Sequence, residues 1–134
     1  MTSAVPPVED GAASAEVKAV FDDIRKTRDT DYIGIFWRVL ANDPASLRRT
    51  WEGVKQVMAP GALDPLVKEM IYLAISISNG CDYCSHSHGA AAKAKGMTRE
   101  MFAELMAIVA MANQTNKLAD GYRVPVDERF TNLF

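Results

Sequence analysis

The chain has 134 residues, 49% of them hydrophobic and 24% charged, with a net charge of −2. That length builds a core without disulfide or metal staples, and the composition excludes a disordered or fibrous chain. Lysine and arginine are scattered among aspartate and glutamate, which leaves no basic footprint for nucleic acid.

The N-terminus, MTSAVPPVEDGAASAEV, lacks the basic start and apolar stretch of a signal peptide, and the apolar run around MIYLAISIS is too short to span a bilayer. The expectation is a cytoplasmic protein with no membrane partner. No repeat or linker divides the sequence, so residues 1–134 read as one domain whose residues 1–13, with Pro6-Pro7 and Gly11, form an extended arm.

Ser14 is placed to cap a first helix in which Val17, Val20, Phe21 and Ile24 recur at helical spacing, ending near Thr27. Ile33, Phe36, Trp37 and Leu40 mark a second. Asp43-Pro44 starts a third, because aspartate caps well and proline suits a first helical position whose N–H needs no partner. Asp64-Pro65 repeats that signal. The helix it opens, LVKEMIYLAISISN, is apolar around most of its circumference, as expected of a central helix or one covered by another subunit. Asn79-Gly80 stops it, a fifth helix begins at the cysteines and ends at Gly96, and Thr98 caps a sixth that persists to about Ala119. Trp37 and Trp51 read as core; Met101, Met106 and Met111 as core or subunit contact. Tyr122, Phe130 and Phe134 are the residues that could dock the tail. The fold class is all-α, about six helices with antiparallel neighbours.

Both cysteines and both histidines lie in GCDYCSHSHGAAAKAKG, residues 80–96. Cys81, Cys84 and His88 follow one another at spacings of three and four, which stacks them on one helix face and points His86 elsewhere. In a reducing compartment such a pair is catalytic or metal-binding rather than a structural staple. A helix beginning after Gly80 puts both sulfurs near free N–H groups and the positive end of the helix dipole, which favour thiolate. Lowering a thiol from about 8.5 to about 7 takes roughly 2 kcal/mol, within reach of a helix terminus and one imidazole. His88 is placed to take the thiol proton, and Glu69, a carboxylate in an otherwise apolar stretch, to orient it. The rival readings are a zinc site of Cys81, Cys84, His88 and Glu69, which lacks the second cysteine or histidine pair such sites commonly use, and an inert buried pair. His86 reads as solvent-facing or an oligomer contact, and Tyr83 as pocket-lining and substrate-binding.

The segment Glu69 to His88, a glutamate, eleven residues and then C-x-x-C-x-x-x-H, resembles the signature of the alkylhydroperoxidase D (AhpD) family, and ANQTNKLADGYRVPVD resembles the end of the last helix in the wider carboxymuconolactone decarboxylase superfamily. The resemblance implies an AhpD-like orthogonal helical bundle assembled into trimers or hexamers. It implies a thiol-dependent hydroperoxidase or disulfide oxidoreductase in antioxidant defence, with no metal or other cofactor. Cys84 would be the attacking thiol, Cys81 the resolving one, and Glu69 and His88 the proton relay. The Cys81–Cys84 disulfide would then be reduced by an external dithiol, a lipoyl group or a thioredoxin-like protein. AhpD has a histidine between its cysteines; Tyr83 stands there in this chain. The alternatives are a lactone decarboxylase of the superfamily's namesake type, whose members lack the cysteine pair, and a non-enzymatic redox sensor or scaffold.

Overall fold

The computed structural model describes residues 2–132, so the expectation for Phe134 lies outside the described residues. All regular structure within them is helical: α1 (Ala15–Arg28), α2 (Ile35–Leu40), α3 (Pro44–Met58), α4 (Pro65–Ser78), α5 (Asp82–Ala94) and α6 (Arg99–Gly121), with short 3-10 turns at Asp10–Ala12 and Glu128–Phe130. The starts fall where the capping chemistry puts them. Ser14, Asp43, Asp64 and Thr98 each accept a backbone N–H from the first turn they precede, and Pro44 and Pro65 occupy the first helical positions.

The chain divides into two compact units, one up to Ala59 and one from Pro60. In the first, α1 and α2 each pack on α3. Val17, Phe21, Ile24, Ile33, Trp37, Leu47 and Trp51 are buried together there, each worth roughly 1.5–3 kcal/mol or more of apolar transfer. The Trp37 and Trp51 rings meet edge to face at 5.5 Å, and the Arg28 guanidinium lies over both. Trp51 Nε1–H and Lys55 Nζ both donate to Asp23, each at 2.6 Å. The segment before Ser14 carries the 3-10 turn at Asp10–Ala12 and is tied down: Val8 N–H donates to the Arg38 carbonyl, and the Asn42 amide donates to the Pro6 carbonyl.

In the second unit α4 is central, packed against α5 on one side and α6 on another. Leu73, Leu105 and Val109 form its buried core, lined by Met70, Ala74, Ile77, Met97 and Met106. Only the N-terminal half of α6 takes part: from Ala110 onward α6 and the described tail are exposed. The tail residues Tyr122 and Phe130 are among them, 79% and 55% exposed, so neither is packed within this chain. Met101 and Met106 are partly buried, whereas Met111 is exposed. Among the described residues no helix is long and apolar enough to cross a membrane.

Candidate active site

The turn between α4 and α5 places the cysteines. Gly80 adopts φ +69°, and around it the Gly80 N–H donates to the Ile77 carbonyl while the Cys81 N–H donates to the Ser76 carbonyl. This pair of bonds closes α4 in a Schellman motif, with glycine at the left-handed position where a side chain would be strained. Cys81 is thus the residue that leaves α4 and also the N-cap of α5: its Sγ accepts the Cys84 N–H at 3.3 Å. Both sulfurs therefore lie at the dipole-positive end of α5. The two cysteines are joined in a disulfide, their Cα atoms 5.3 Å apart.

One turn further along α5, the His88 ring faces α4. Its Nδ1 lies 2.8 Å from Glu69 Oε2, and Glu69 is only 7% exposed. A carboxylate accepts and cannot donate, so Nδ1 carries the hydrogen, and in the neutral ring Nε2 is the nitrogen with the lone pair. Burial pushes the Glu69 carboxyl upward, but hydrogen bonds from His88 and from the Lys95 ammonium, with the charge of each, outweigh it and hold the group below the ordinary 4.5. Lys95 Nζ reaches Glu69 Oε1 at 3.2 Å, and the Tyr72 ring stacks on His88 with centroids 3.7 Å apart and planes 19° from parallel.

Glu69 and His88 are therefore brought together, beside a cysteine pair on the same helix as His88. Lys95 and Tyr72 are additions that sequence reasoning missed. Their signals were present as spacings: Tyr72 is three residues after Glu69 and Lys95 seven after His88, one and two helical turns along the same faces. Tyr83 is partly exposed on the first turn of α5. His86 is exposed, its Nδ1 donating to the Asp82 carbonyl at 2.9 Å. It edges a groove of about 550 Å³ floored by Leu73, Ile77, Met97 and Phe102, whose lining includes neither cysteine nor His88. No group of three or more His, Cys, Asp or Glu side chains among the described residues is arranged to hold a metal ion.

Comparisons with known proteins bear on the fold and the family. A crystal structure described as the alkylhydroperoxidase AhpD core from Rhodospirillum rubrum superposes with a TM-score of 0.93 at 55% sequence identity, covering 98% of this chain and 99% of its own. An uncharacterized protein of Cupriavidus necator is 34% identical over 83 residues, 62% of this chain and 74% of its own length. The all-helical fold is thus AhpD-like, and residues 44–127 match the carboxymuconolactone decarboxylase family as a whole. This chain belongs to the carboxymuconolactone decarboxylase family.

Proposed function

We propose that this protein is a thiol-dependent hydroperoxidase whose redox centre is the Cys81–Cys84 pair. The observation that carries this reading is the hydrogen bond from Glu69 on α4 to His88 on α5, the helix whose N-cap and first turn hold the two cysteines. In the reduced protein, His88 Nε2 takes the Cys84 thiol proton, directly or through water. The thiolate sulfur attacks the terminal oxygen of a hydroperoxide: the S–O bond forms, the O–O bond breaks, and the departing alkoxide takes the proton from His88 and leaves as alcohol. Cys84 is now a sulfenic acid. Cys81 sulfur displaces its hydroxyl as water, and the disulfide forms. The dithiol has lost two electrons, which an external dithiol returns by exchange; a lipoyl group or a thioredoxin-like protein is the donor class proposed. The R. rubrum structure, described as an alkylhydroperoxidase, supports the assignment by its 55% identity.

The chain also works as a homo-oligomer in this reading, a trimer or hexamer. Support comes from Val67, Ile71 and Ile75, which form an exposed apolar stripe on α4, and from Ile108, Met111 and Leu118 along the uncovered part of α6. The site is proposed to need no metal and no other cofactor.

The test is stoichiometric. Reduced protein treated with one equivalent of an alkyl hydroperoxide loses two free thiols per chain and releases no metal. Loss of a bound zinc on oxidation, or retention of both thiols, contradicts the proposal.

A further inference from the structure

Glu69 divides its two carboxylate oxygens between two cations of different kinds. Oε2 receives His88 Nδ1 at 2.8 Å, and Oε1 receives Lys95 Nζ at 3.2 Å. With the imidazole neutral, Glu69 and Lys95 sum to zero charge. Adding a proton to His88 then leaves a net positive charge around a carboxylate that is almost out of water, an unfavourable change in a low dielectric. Without Lys95 the balance reverses. The same proton would convert a lone buried carboxylate into a neutral ion pair, so Glu69 would draw the proton onto His88 and remove the base.

We propose that Lys95 is a positioning residue of the proton relay: by occupying Glu69 Oε1 it keeps the His88 imidazole unprotonated and available to take a proton at Nε2. The inference deepens the hydroperoxidase reading and takes its functional meaning from it. Its geometry is set by the end of α5. Lys95 is the C-cap residue, held by a second Schellman turn in which the Gly96 N–H donates to the Lys93 carbonyl and the Met97 N–H to the Ala92 carbonyl. From there its side chain, 41% exposed, extends to Glu69. Lys93, two residues earlier, lines the groove with Gly89 and His86 instead and makes no ion pair with Glu69. The ionisable groups that meet the Glu69–His88 pair are the stacked Tyr72 from α4 and Lys95 from the end of α5; the disulfide-bonded Cys81 and Cys84 lie at the start of α5. Among the described residues, α6 supplies neither a hydrogen bond nor an ion pair to Glu69 or His88.

The experiment is a nuclear magnetic resonance titration of the imidazole signals of the full-length reduced protein, with His86→Gln used to assign the two histidines. The midpoint of the His88 titration should rise by about 0.5–1 unit in Lys95→Met and in Lys95→Gln, the partial exposure of Lys95 keeping the shift below that of a fully buried charge. Lys95→Arg should restore it to within about 0.2 units, because the charge and not the ammonium shape sets the balance. An unmoved midpoint in either neutral variant, or an arginine variant that shifts as far as the methionine one, overturns the proposal. No peroxide enters this measurement. A wild-type protein inactive toward hydroperoxides would refute the proposed function and leave the Lys95 result standing.

Discussion

Glu69 makes the fold sensitive to acid. Its folded carboxyl is held below the 4.5 of an unfolded chain, so its stabilising contribution is complete above that value and is lost as pH falls through the lower, folded one. Stability should therefore drop as pH falls below 4.5 toward the lower, folded value, and Glu69→Gln should remove the Glu69 share of that drop. Asp10, paired with Arg25 and Arg38, and Asp23, paired with Lys55 and Trp51, are lowered in the same direction and keep part of the acid dependence in the variant. At pH 7 the same variant should be less stable by about 1–3 kcal/mol, since the amide cannot serve both His88 and Lys95 as an anion does. Urea midpoints of the two proteins at pH 7 and pH 3.5 check this, and equal acid losses would contradict it. Of this residue network, Glu69 and His88 were legible in the sequence because an isolated carboxylate in an apolar helix demands a partner. Lys95 and Tyr72 were not. A lysine near a helix end reads as a solvated charge, and an aromatic in an apolar run reads as core; only the α4–α5 packing shows that both converge on the Glu69–His88 bond.

At the level of elements, the starts of α1, α3, α4 and α6 were readable because capping is local chemistry: an aspartate, serine or threonine oxygen meeting the first free N–H groups. The Gly80 turn was readable for the same reason, and it carries a prediction. A Cβ at Gly80 would meet nothing within 4 Å, so the cost of Gly80→Ala is conformational alone, about 1–2 kcal/mol for a left-handed alanine. In thermal unfolding that corresponds to a loss of roughly 3–6 °C. A melting temperature unchanged by the substitution would mean that the turn does not hold Cys81 as described. The exact end of α6 was not readable, because its left-handed closing residue is Arg123, at φ +51°, while Gly121 is still helical. The second half of α6 is exposed and meets α4 through the Asn113 amide donating to Ser78 Oγ, so its apolar residues gave a helix without saying what covers them.

Across the whole molecule, the exposed apolar residues of α4 and α6 bear on assembly. Light scattering at tens of micromolar should give a mass three or six times that of one chain, and pairing Ile75→Glu with Met111→Glu should dissociate it; a monomeric wild type would contradict the proposed oligomer. The sequence carried the fold class and the C-x-x-C pair, because periodicity and spacing are one-dimensional, but it carried assembly only as an apolar excess on α4. The central claim is that Cys84, served by His88 and Glu69, reduces hydroperoxides. Its most direct test is steady-state turnover of an alkyl hydroperoxide with a dithiol donor, wild type against Cys84→Ser, with Tyr83→His alongside to ask whether a histidine between the cysteines speeds the reaction. The account predicts that Cys84→Ser lowers turnover at least about 100-fold, to the level of the uncatalysed dithiol reaction. Turnover by Cys84→Ser at the wild-type rate would contradict it.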